Sequence, residues 1–332
     1  MREVMNRYYI IGMEPAKNTI VEVFRNVKDG KIDNAVYLEP YKFRGLLLLL
    51  YKIRYNKKFR KLLRFVPWWI WKRYYALENT VFSQNDNNYV FLMPGTDIER
   101  LINSRYLKKF KEKNGNVKLI LLLFDSINSP LRNNGWNKVI EVFPLFDLVA
   151  TFEKNDAIKY GIHYFMDPYE KRDVRKIDER ISDLYFVGHD KGRKSILTEL
   201  AQYTYNNGVN NRIILVDGEN RSEYGIEHSS ERISYDKMLS QIMNTNCLLE
   251  ILCDGQESAS LRYYEAVIYG KKLLTNNSNI FELPFYNDRY MKYFGELKDI
   301  DVEWIKEREI VDYGYKDEFS VRRFFEEIAQ LV

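Results

Sequence analysis

Apolar residues recur along the chain in short runs that are separated by longer charged stretches. In the first half, runs rich in β-branched and aromatic residues cover 8–12, 90–93, 117–124 and 148–152, a composition typical of buried strands. Residues 16–27 instead carry apolar positions at helical spacing. This alternation predicts an α/β fold, with a mostly parallel sheet covered by helices.

The same pattern restarts after a charge-rich stretch at 167–183, which we interpret as an interdomain linker. The length of 332 residues is about that of two ordinary domains. We therefore predict an N-terminal domain at 1–178, a second βαβ domain at 179–316 and a terminal helix within 317–332. The elements predicted beyond the linker are strands at 184–187, 212–216, 247–252 and 272–275, and helices at 194–205, 235–243, 261–268 and 319–331.

Composition restricts the cellular setting. Cys247 and Cys253 are the two cysteines, too few for a disulfide framework or a metal cluster, and a reducing compartment suits them. The sequence shows neither a signal peptide nor an apolar stretch of the roughly 20 residues that span a bilayer. These features predict a cytoplasmic protein.

Basic residues are concentrated between positions 40 and 77. This segment holds eleven Lys and Arg and no Asp or Glu, although the net charge of the chain is only +4. It also holds the leucine run 46–50 and the cluster Trp68, Trp69 and Trp71. One interpretation is docking on the inner face of the plasma membrane, where cations meet anionic headgroups. The other is a pair of amphipathic helices whose Leu and Trp face the domain core. Nucleic-acid binding is disfavoured because no recognition motif accompanies the charge.

The stretch 251–276 carries the most informative chemistry. An apolar strand is followed by a polar loop, a helix beginning near Ser258 to Ser260, and another strand at 272. Ligands of parallel sheets collect at the carboxyl ends of strands, where helix N-termini offer N–H groups to anionic oxygens. Gln256, Ser258 and Ser260 are placed for such contacts. Glu265, further into the helix, is placed to accept hydroxyl hydrogen bonds from a ribose.

This stretch resembles the Gln-x-Gly-Leu-Thr-x-Arg-x-x-Glu-Ala pattern of bacterial GT-B glycosyltransferases that build capsular polysaccharide and lipopolysaccharide. Ser258 and Ser260 stand where the pattern has Gly and Thr. The residues that match this pattern and the Gly-Lys-Lys-Leu-Ile-Thr-Thr-Asn run that follows it are Gln256, Arg262, Glu265, Ala266, Gly270, Lys271, Lys272, Leu273, Thr275 and Asn276.

The resemblance extends upstream to residue 183. Residues 183–193 resemble the opening strand and glycine-containing loop of the donor domain, and the segment around Ser234 resembles the one that flanks the nucleotide base. Cations in the loop would stabilise the charge that develops on the departing diphosphate. Beside Gln256, Ser258, Ser260, Arg262 and Glu265, the predicted donor-binding residues are therefore Gly188, His189, Lys191, Arg193, Ser234 and Tyr235.

The resemblance implies a GT-B fold, in which two Rossmann-like domains face each other across a cleft. It also implies transfer of a sugar from a nucleotide-sugar donor to a glycan or lipid-linked acceptor in surface polysaccharide biosynthesis, with Arg262 and Glu265 as catalytic candidates. Two alternatives stay open. One is a catalytically inactive scaffold in a polysaccharide assembly complex, and the other is a nucleotide-sugar epimerase of the same architecture.

A general base is not fixed by these motifs. Asp125, directly after the strand 117–124, is well placed in the topology, while His163, His189 and His228 are the only histidines. Glu257 and Glu265 have the Glu-x7-Glu spacing of retaining GT-B enzymes, but Glu257 falls on a variable position of the pattern. The spacing is therefore better explained as accidental.

Metal dependence is not expected, and no cofactor is predicted. Carboxylates that hold a metal ion against a donor diphosphate usually form Asp-x-Asp directly after an apolar strand. Asp299 and Asp301 have this spacing but follow a lysine in a charged stretch. We interpret them as part of a surface loop.

Overall fold

A computed structural model of the protein confirms the predicted α/β class. Strands and helices alternate along both halves, and two separate sheets result. The residues that the structure describes are 4–11, 20–39, 44–55, 77, 80–93, 104–124, 126–127, 139–174, 182–217, 221–231 and 233–332.

The N-terminal half contains the first sheet. Its elements are β1 (Asn6–Ile11), α1 (Ile20–Val23), α2 (Arg25–Lys28), β2 (Ala35–Leu38), α3 (Gly45–Tyr55), β3 (Asn87–Leu92), α4 (Ser104–Lys113), β4 (Val117–Leu123), β5 (Leu148–Thr151), α5 (Lys154–Tyr160) and β6 (His163–Tyr164). The strand order is β2-β1-β3-β4-β5-β6, and β1 pairs in parallel with both β2 and β3. Strand β4 is almost continuously apolar and buried, as expected of a parallel strand covered on both faces.

The C-terminal half contains the second sheet. Its elements are β7 (Ser182–His189), α6 (Lys194–Asn206), β8 (Asn211–Val216), β9 (Arg221–Glu223), β10 (Ile226–Ser229), α7 (Tyr235–Met243), β11 (Thr245–Glu250), α8 (Leu261–Tyr269), β12 (Lys272–Thr275), β13 (Met291–Tyr293), α9 (Val302–Lys306) and α10 (Val321–Leu331). The strand order is β13-β12-β11-β7-β8-β10-β9, and β9 is antiparallel to its neighbour.

The order of the second sheet reverses between β7 and β11. From β7 the chain proceeds outward through β8 to β10, and it then returns to β11 and proceeds outward on the other side through β12. Such a topological switch point leaves a crevice at the carboxyl ends of the two central strands, and ligands of doubly wound sheets bind there.

Both faces of the second sheet are covered by apolar side chains. Leu184 and Phe186 of β7 pack with Leu197 of α6 in one cluster. Tyr185, which points to the opposite face, packs with Tyr263 of α8 in another. This alternation places an apolar core on each side of the sheet.

The described residues divide into two compact units. The first comprises 1–124, 134–150 and 324–332, and the second comprises 125–133 and 151–323. Within the first unit, Phe325 of the C-terminal helix stacks on Tyr8 with ring centroids 4.5 Å apart. The domain boundaries predicted from the sequence stay a prediction.

Most predicted elements of the second half are present close to their predicted bounds. Helix α7 and strand β12 have the predicted limits, and α8 is one residue longer. One prediction was wrong. Gly188 and His189 are not in a loop, because they pair with Leu215 and Val216 and so continue β7 to its end.

Candidate functional site

The carboxyl ends of β7 and β11 bring together most of the residues singled out in the sequence. Helix α8 begins beside this edge, and Ser260 is its N-cap, whose side-chain oxygen accepts a hydrogen bond from the backbone N–H of Arg262 at 3.2 Å. The helix ends at Gly270, which has a left-handed backbone (φ +60°). These local caps explain why the sequence located α8 so well.

Arg262 and Glu265 form an ion pair with each other at the switch point. Glu265 is fully buried, and the Arg262 guanidinium also donates to the carbonyl oxygen of Val187 on β7 at 2.9 Å. The side chain of Glu265 therefore faces the protein interior, which excludes a carboxylate on the helix surface. Burial raises the pKa of Glu265, and the charge of Arg262 opposes that shift.

Two tyrosines extend this pair. The hydroxyl of Tyr169 donates to Glu265 Oε1 at 3.1 Å and also contacts the hydroxyl of Tyr235, the first residue of α7. The guanidinium of Arg172 lies 4.4 Å from the centre of the Tyr235 ring. Tyr235 was predicted as a donor contact, whereas Tyr169 lies in the predicted linker and has no local signal that would have revealed it.

Ser234 has a structural role in the described contacts. It is the N-cap of α7, and its hydroxyl oxygen accepts the backbone N–H of Lys237 at 3.4 Å. Its side chain is otherwise exposed. A role of Ser234 in donor binding stays a prediction.

The loop between β11 and α8 is held by two buried carboxylates that the sequence analysis missed. Glu250, the last residue of β11, accepts the backbone N–H of Ser260 at 2.8 Å and the hydroxyl of Thr275 at 2.6 Å. Burial raises the pKa of Glu250, whereas its hydrogen bonds to Ser260 and Thr275 lower it. An acidic residue at the end of an apolar strand was the signal that could have identified it.

Glu153 is the second buried carboxylate. Its Oε1 accepts the backbone N–H groups of Glu257 and Ser258 at 3.0 and 2.9 Å, and the Ser258 hydroxyl oxygen accepts the N–H of Lys154 at 3.0 Å. Adjacent backbone N–H groups are a favourable site for an anionic oxygen, and here Glu153 supplies that oxygen. Burial raises the pKa of Glu153. The backbone N–H and the hydroxyl of Ser258, which were predicted to contact the donor, are thus already hydrogen-bonded to Glu153 and Lys154.

Gln256 turns back on its own loop. Its side-chain oxygen accepts the backbone N–H of Cys253 at 3.2 Å, and its own N–H donates to the Cys253 carbonyl at 3.0 Å. The neighbouring Glu257 has an exposed side chain. Gln256 therefore stabilises the conformation of the loop that was predicted to bind the donor, and Glu257 lies on the exposed side of that loop.

Arg193 joins the two central strands at the switch point. Its guanidinium donates to the carbonyl oxygen of His189 at 2.6 Å and to that of Ile251 at 2.7 Å. Burial lowers its pKa. The guanidinium that was predicted to contact a phosphate therefore already donates hydrogen bonds to backbone carbonyls at the strand ends, while Lys191 is exposed in the turn before it.

Gly188 makes room for Arg193. A Cβ atom at position 188 would lie 3.1 Å from Arg193 Nη2 and 3.0 Å from Cζ of Phe186. We expect Gly188→Ala to lower the free energy of unfolding by about 1–3 kcal/mol, because the guanidinium and the ring must move from a packed position. Urea unfolding measures the change, with Gly115→Ala as the control because nothing lies within 4 Å of that position. Equal stability of both variants would contradict this packing.

The three histidines occupy different settings. His189 is exposed, with Nδ1 3.2 Å from the carbonyl oxygen of Val216. His228 is buried, with Nδ1 2.7 Å from Asp217, whose carboxylate also pairs with Lys194 at 3.2 Å. His163 is exposed beside the ring of Phe165. Asp125, the other candidate base, lies outside the described residues.

Asp299 and Asp301 act as helix caps. Asp299 accepts the backbone N–H of Glu296 at 2.8 Å, and Asp301 accepts that of Trp304 at 3.0 Å. Within the described part of the chain, no three His, Cys, Asp or Glu side chains are grouped so that they could hold a metal ion.

No family model and no curated protein matches the sequence. Solved structures do resemble it along nearly its whole length. Anabaena HepE, solved in complex with UDP and glucose, aligns with a TM-score of 0.55 and 10% identity over 98% of both chains. The UDP-forming α,α-trehalose-phosphate synthase of Burkholderia xenovorans aligns with a TM-score of 0.51 and 9% identity, over 98% of this chain and 95% of that one.

The fold is GT-B. Both Rossmann-like domains of this GT-B fold are present, and α10 is its C-terminal helix. TarM also resembles the chain, with a TM-score of 0.48 and 10% identity over 78% of this chain, which spans only 58% of TarM. None of the helices in the described ranges is long and apolar enough to cross a membrane.

Proposed function

We propose that this protein is a glycosyltransferase that moves a sugar from a nucleotide-sugar donor to a glycan acceptor in surface polysaccharide biosynthesis. The observation that carries the proposal is the Arg262–Glu265 pair, which lies at the switch point of the second sheet of a GT-B fold and within the Gln256 to Ala266 pattern. Similar solved structures bear UDP and glucose or are described as UDP-forming, which supports a nucleotide diphosphate as the leaving group.

The proposed reaction needs charge stabilisation at the diphosphate. An acceptor hydroxyl oxygen bonds to the anomeric carbon as the bond from that carbon to the phosphate oxygen breaks, and the acceptor proton passes to a base. Negative charge then grows on the distal phosphate, and a cation with little solvent exposure, such as Arg262, would stabilise it more than an exposed one. We propose that this occurs without a metal ion, since Asp299 and Asp301 serve as helix caps.

The alternative function is a nucleotide-binding or inactive scaffold. One observation favours it: the two N–H groups of Glu257 and Ser258 already bind Glu153, and Arg193 already binds two carbonyl oxygens. A donor phosphate would have to replace such contacts or use other groups. The two functions differ in whether a donor is consumed.

A nucleotide titration tests the proposed site. We expect calorimetry with a panel of nucleoside diphosphates to detect binding, and we expect Glu265→Gln to weaken it at least tenfold, about 1.4 kcal/mol, because the carboxylate that orients Arg262 is lost. Glu112→Gln, on the exposed surface of α4, is the matched control. Wild-type affinity in Glu265→Gln would contradict the site.

Turnover separates the enzyme from the scaffold. A panel of nucleotide-sugars is incubated with the protein, and hydrolysis or transfer is followed by NMR, which also gives the anomeric configuration of the product. Consumption of one donor supports the enzyme. Binding without consumption of any donor supports the nucleotide-binding scaffold. Absence of binding by every nucleotide contradicts the enzyme and favours an inactive scaffold.

A further inference from the structure

Helix α3 exposes a run of leucines to solvent. Its sequence begins Gly-Leu-Leu-Leu-Leu-Leu, and Leu46, Leu47, Leu48 and Leu49 are 70, 41, 36 and 54% exposed. Successive residues of an α-helix are 100° apart, so four in a row surround the whole axis. A helix that is apolar all round is normally buried, and this one is not. The interpretation that these leucines face the domain core is therefore wrong.

Cations stand at both ends of the leucine run. Arg44 precedes the helix and is exposed, and Lys52 follows the leucines and is exposed as well. The two cations are eight positions apart, which corresponds to about 12 Å along a helix axis. In the sequence, nine further Lys and Arg and no acidic residue occupy 40–77. An apolar run between cations fits a surface that has an apolar interior and anionic groups at its boundary.

We propose that α3 docks the protein on an anionic lipid bilayer, with Leu46–Leu49 below the headgroups and Arg44 and Lys52 at the level of the phosphates. Leucines buried about 5–10 Å into the interface would supply the apolar contact, and long basic side chains would reach back to the lipid phosphates. Each cation adds attraction to an anionic leaflet. The docking is independent of sugar transfer, so an inactive protein would still bind the membrane.

The arrangement favours a bilayer over a partner protein. A partner helix or groove covers one stripe of a helix, at positions three and four residues apart, and leaves the other side polar. Here consecutive positions are apolar on every side, and lipid tails can surround them. The absence of acidic residues from 40–77 also favours a uniformly anionic partner surface.

Vesicle sedimentation with the full chain tests the proposal. We expect binding to vesicles of phosphatidylcholine mixed with phosphatidylglycerol, much weaker binding to phosphatidylcholine alone, and partial release at high salt. The double variant Leu46→Ser, Leu49→Ser should bind the mixed vesicles at least tenfold more weakly, because two exposed apolar side chains are lost. Circular dichroism verifies that the variants are folded.

The controls use other exposed apolar residues. Val81 and Ile310 are 93 and 92% exposed and lie outside α3, so Val81→Ser and Ile310→Ser should leave vesicle binding unchanged. Absence of wild-type binding to the mixed vesicles, or equal binding by the leucine variant, would overturn the proposal. So would gel filtration showing a wild-type dimer that the leucine variant abolishes, because the leucines would then bind a second copy.

Discussion

Replacing Glu265 with alanine is expected to lower the free energy of unfolding by about 3–5 kcal/mol, because it leaves the Arg262 guanidinium, whose side chain is only 12% exposed, without its carboxylate partner. The hydroxyl of Tyr169 would lose an acceptor as well. From the sequence alone, such a variant would be expected to keep its fold, lose sugar transfer and bind the nucleotide more weakly. The buried ion pair changes that expectation. Urea unfolding of the wild type and the variant measures the difference.

A double substitution separates stability from function at the same position. Arg262→Met with Glu265→Leu removes both charges and keeps apolar volume, and exchanges of buried ion pairs for apolar residues are often neutral or stabilising. We expect this variant to be much closer to the wild type in stability than Glu265→Ala and to bind nucleoside diphosphates poorly. A folded double variant with wild-type nucleotide affinity would contradict the proposed site. If both variants lost a similar free energy of unfolding, the unpaired charge of Arg262 would not be the main cause of the destabilisation by Glu265→Ala.

Gly270→Ala is expected to destabilise the protein by about 2–5 kcal/mol. The residue ends α8 with φ at +60°, which costs other residues about 1–2 kcal/mol, and overpacking adds about 1–3 kcal/mol. The overpacking arises because a Cβ atom there would lie 2.6 Å from the carbonyl oxygen of Val311, which is backbone. Thermal or urea unfolding measures the loss.

Gly255 provides the control for this substitution. It also has a left-handed backbone, with φ at +79°, but nothing lies within 4 Å of its Cβ position. Gly255→Ala should therefore lose only the conformational contribution, about 1–2 kcal/mol. If the two variants were equally stable, the close approach of Val311 would have no energetic weight.

Local chemistry made much of the second half predictable. Helix α8 has a serine N-cap and a glycine C-cap, and strand β12 is a short apolar run between a lysine and polar residues, so each element carries its own boundaries. Short or polar strands such as β2 and β9 carry no such signal. They form because a neighbouring strand offers its hydrogen-bonding edge, which local sequence does not encode.

The candidate site was likewise predictable only in part from local sequence. The sequence identified Arg262 and Glu265 from their pattern and helix position, but it placed the carboxylate toward a ligand. The pair itself is local, since positions i and i+3 of a helix are neighbours, but its surroundings depend on the approach of Val187 on β7 and of Tyr169, which lie 75 and 96 positions away along the chain. Glu153 reaches the loop at Ser258 across 105 positions. Spacing along one segment cannot reveal such contacts.

By itself, the sequence determined the α/β class, the second βαβ series and the helix that carries Arg262 and Glu265, because these depend on apolar periodicity and helix caps within a few residues. Only the tertiary structure decided that Glu265 is fully buried, that Glu153 and Glu250 hold the loop beside it, and that the leucines of α3 are exposed. The physical reason is that burial and charge pairing depend on which distant segments pack together, and the free energy of an ionised or apolar side chain is set by those neighbours.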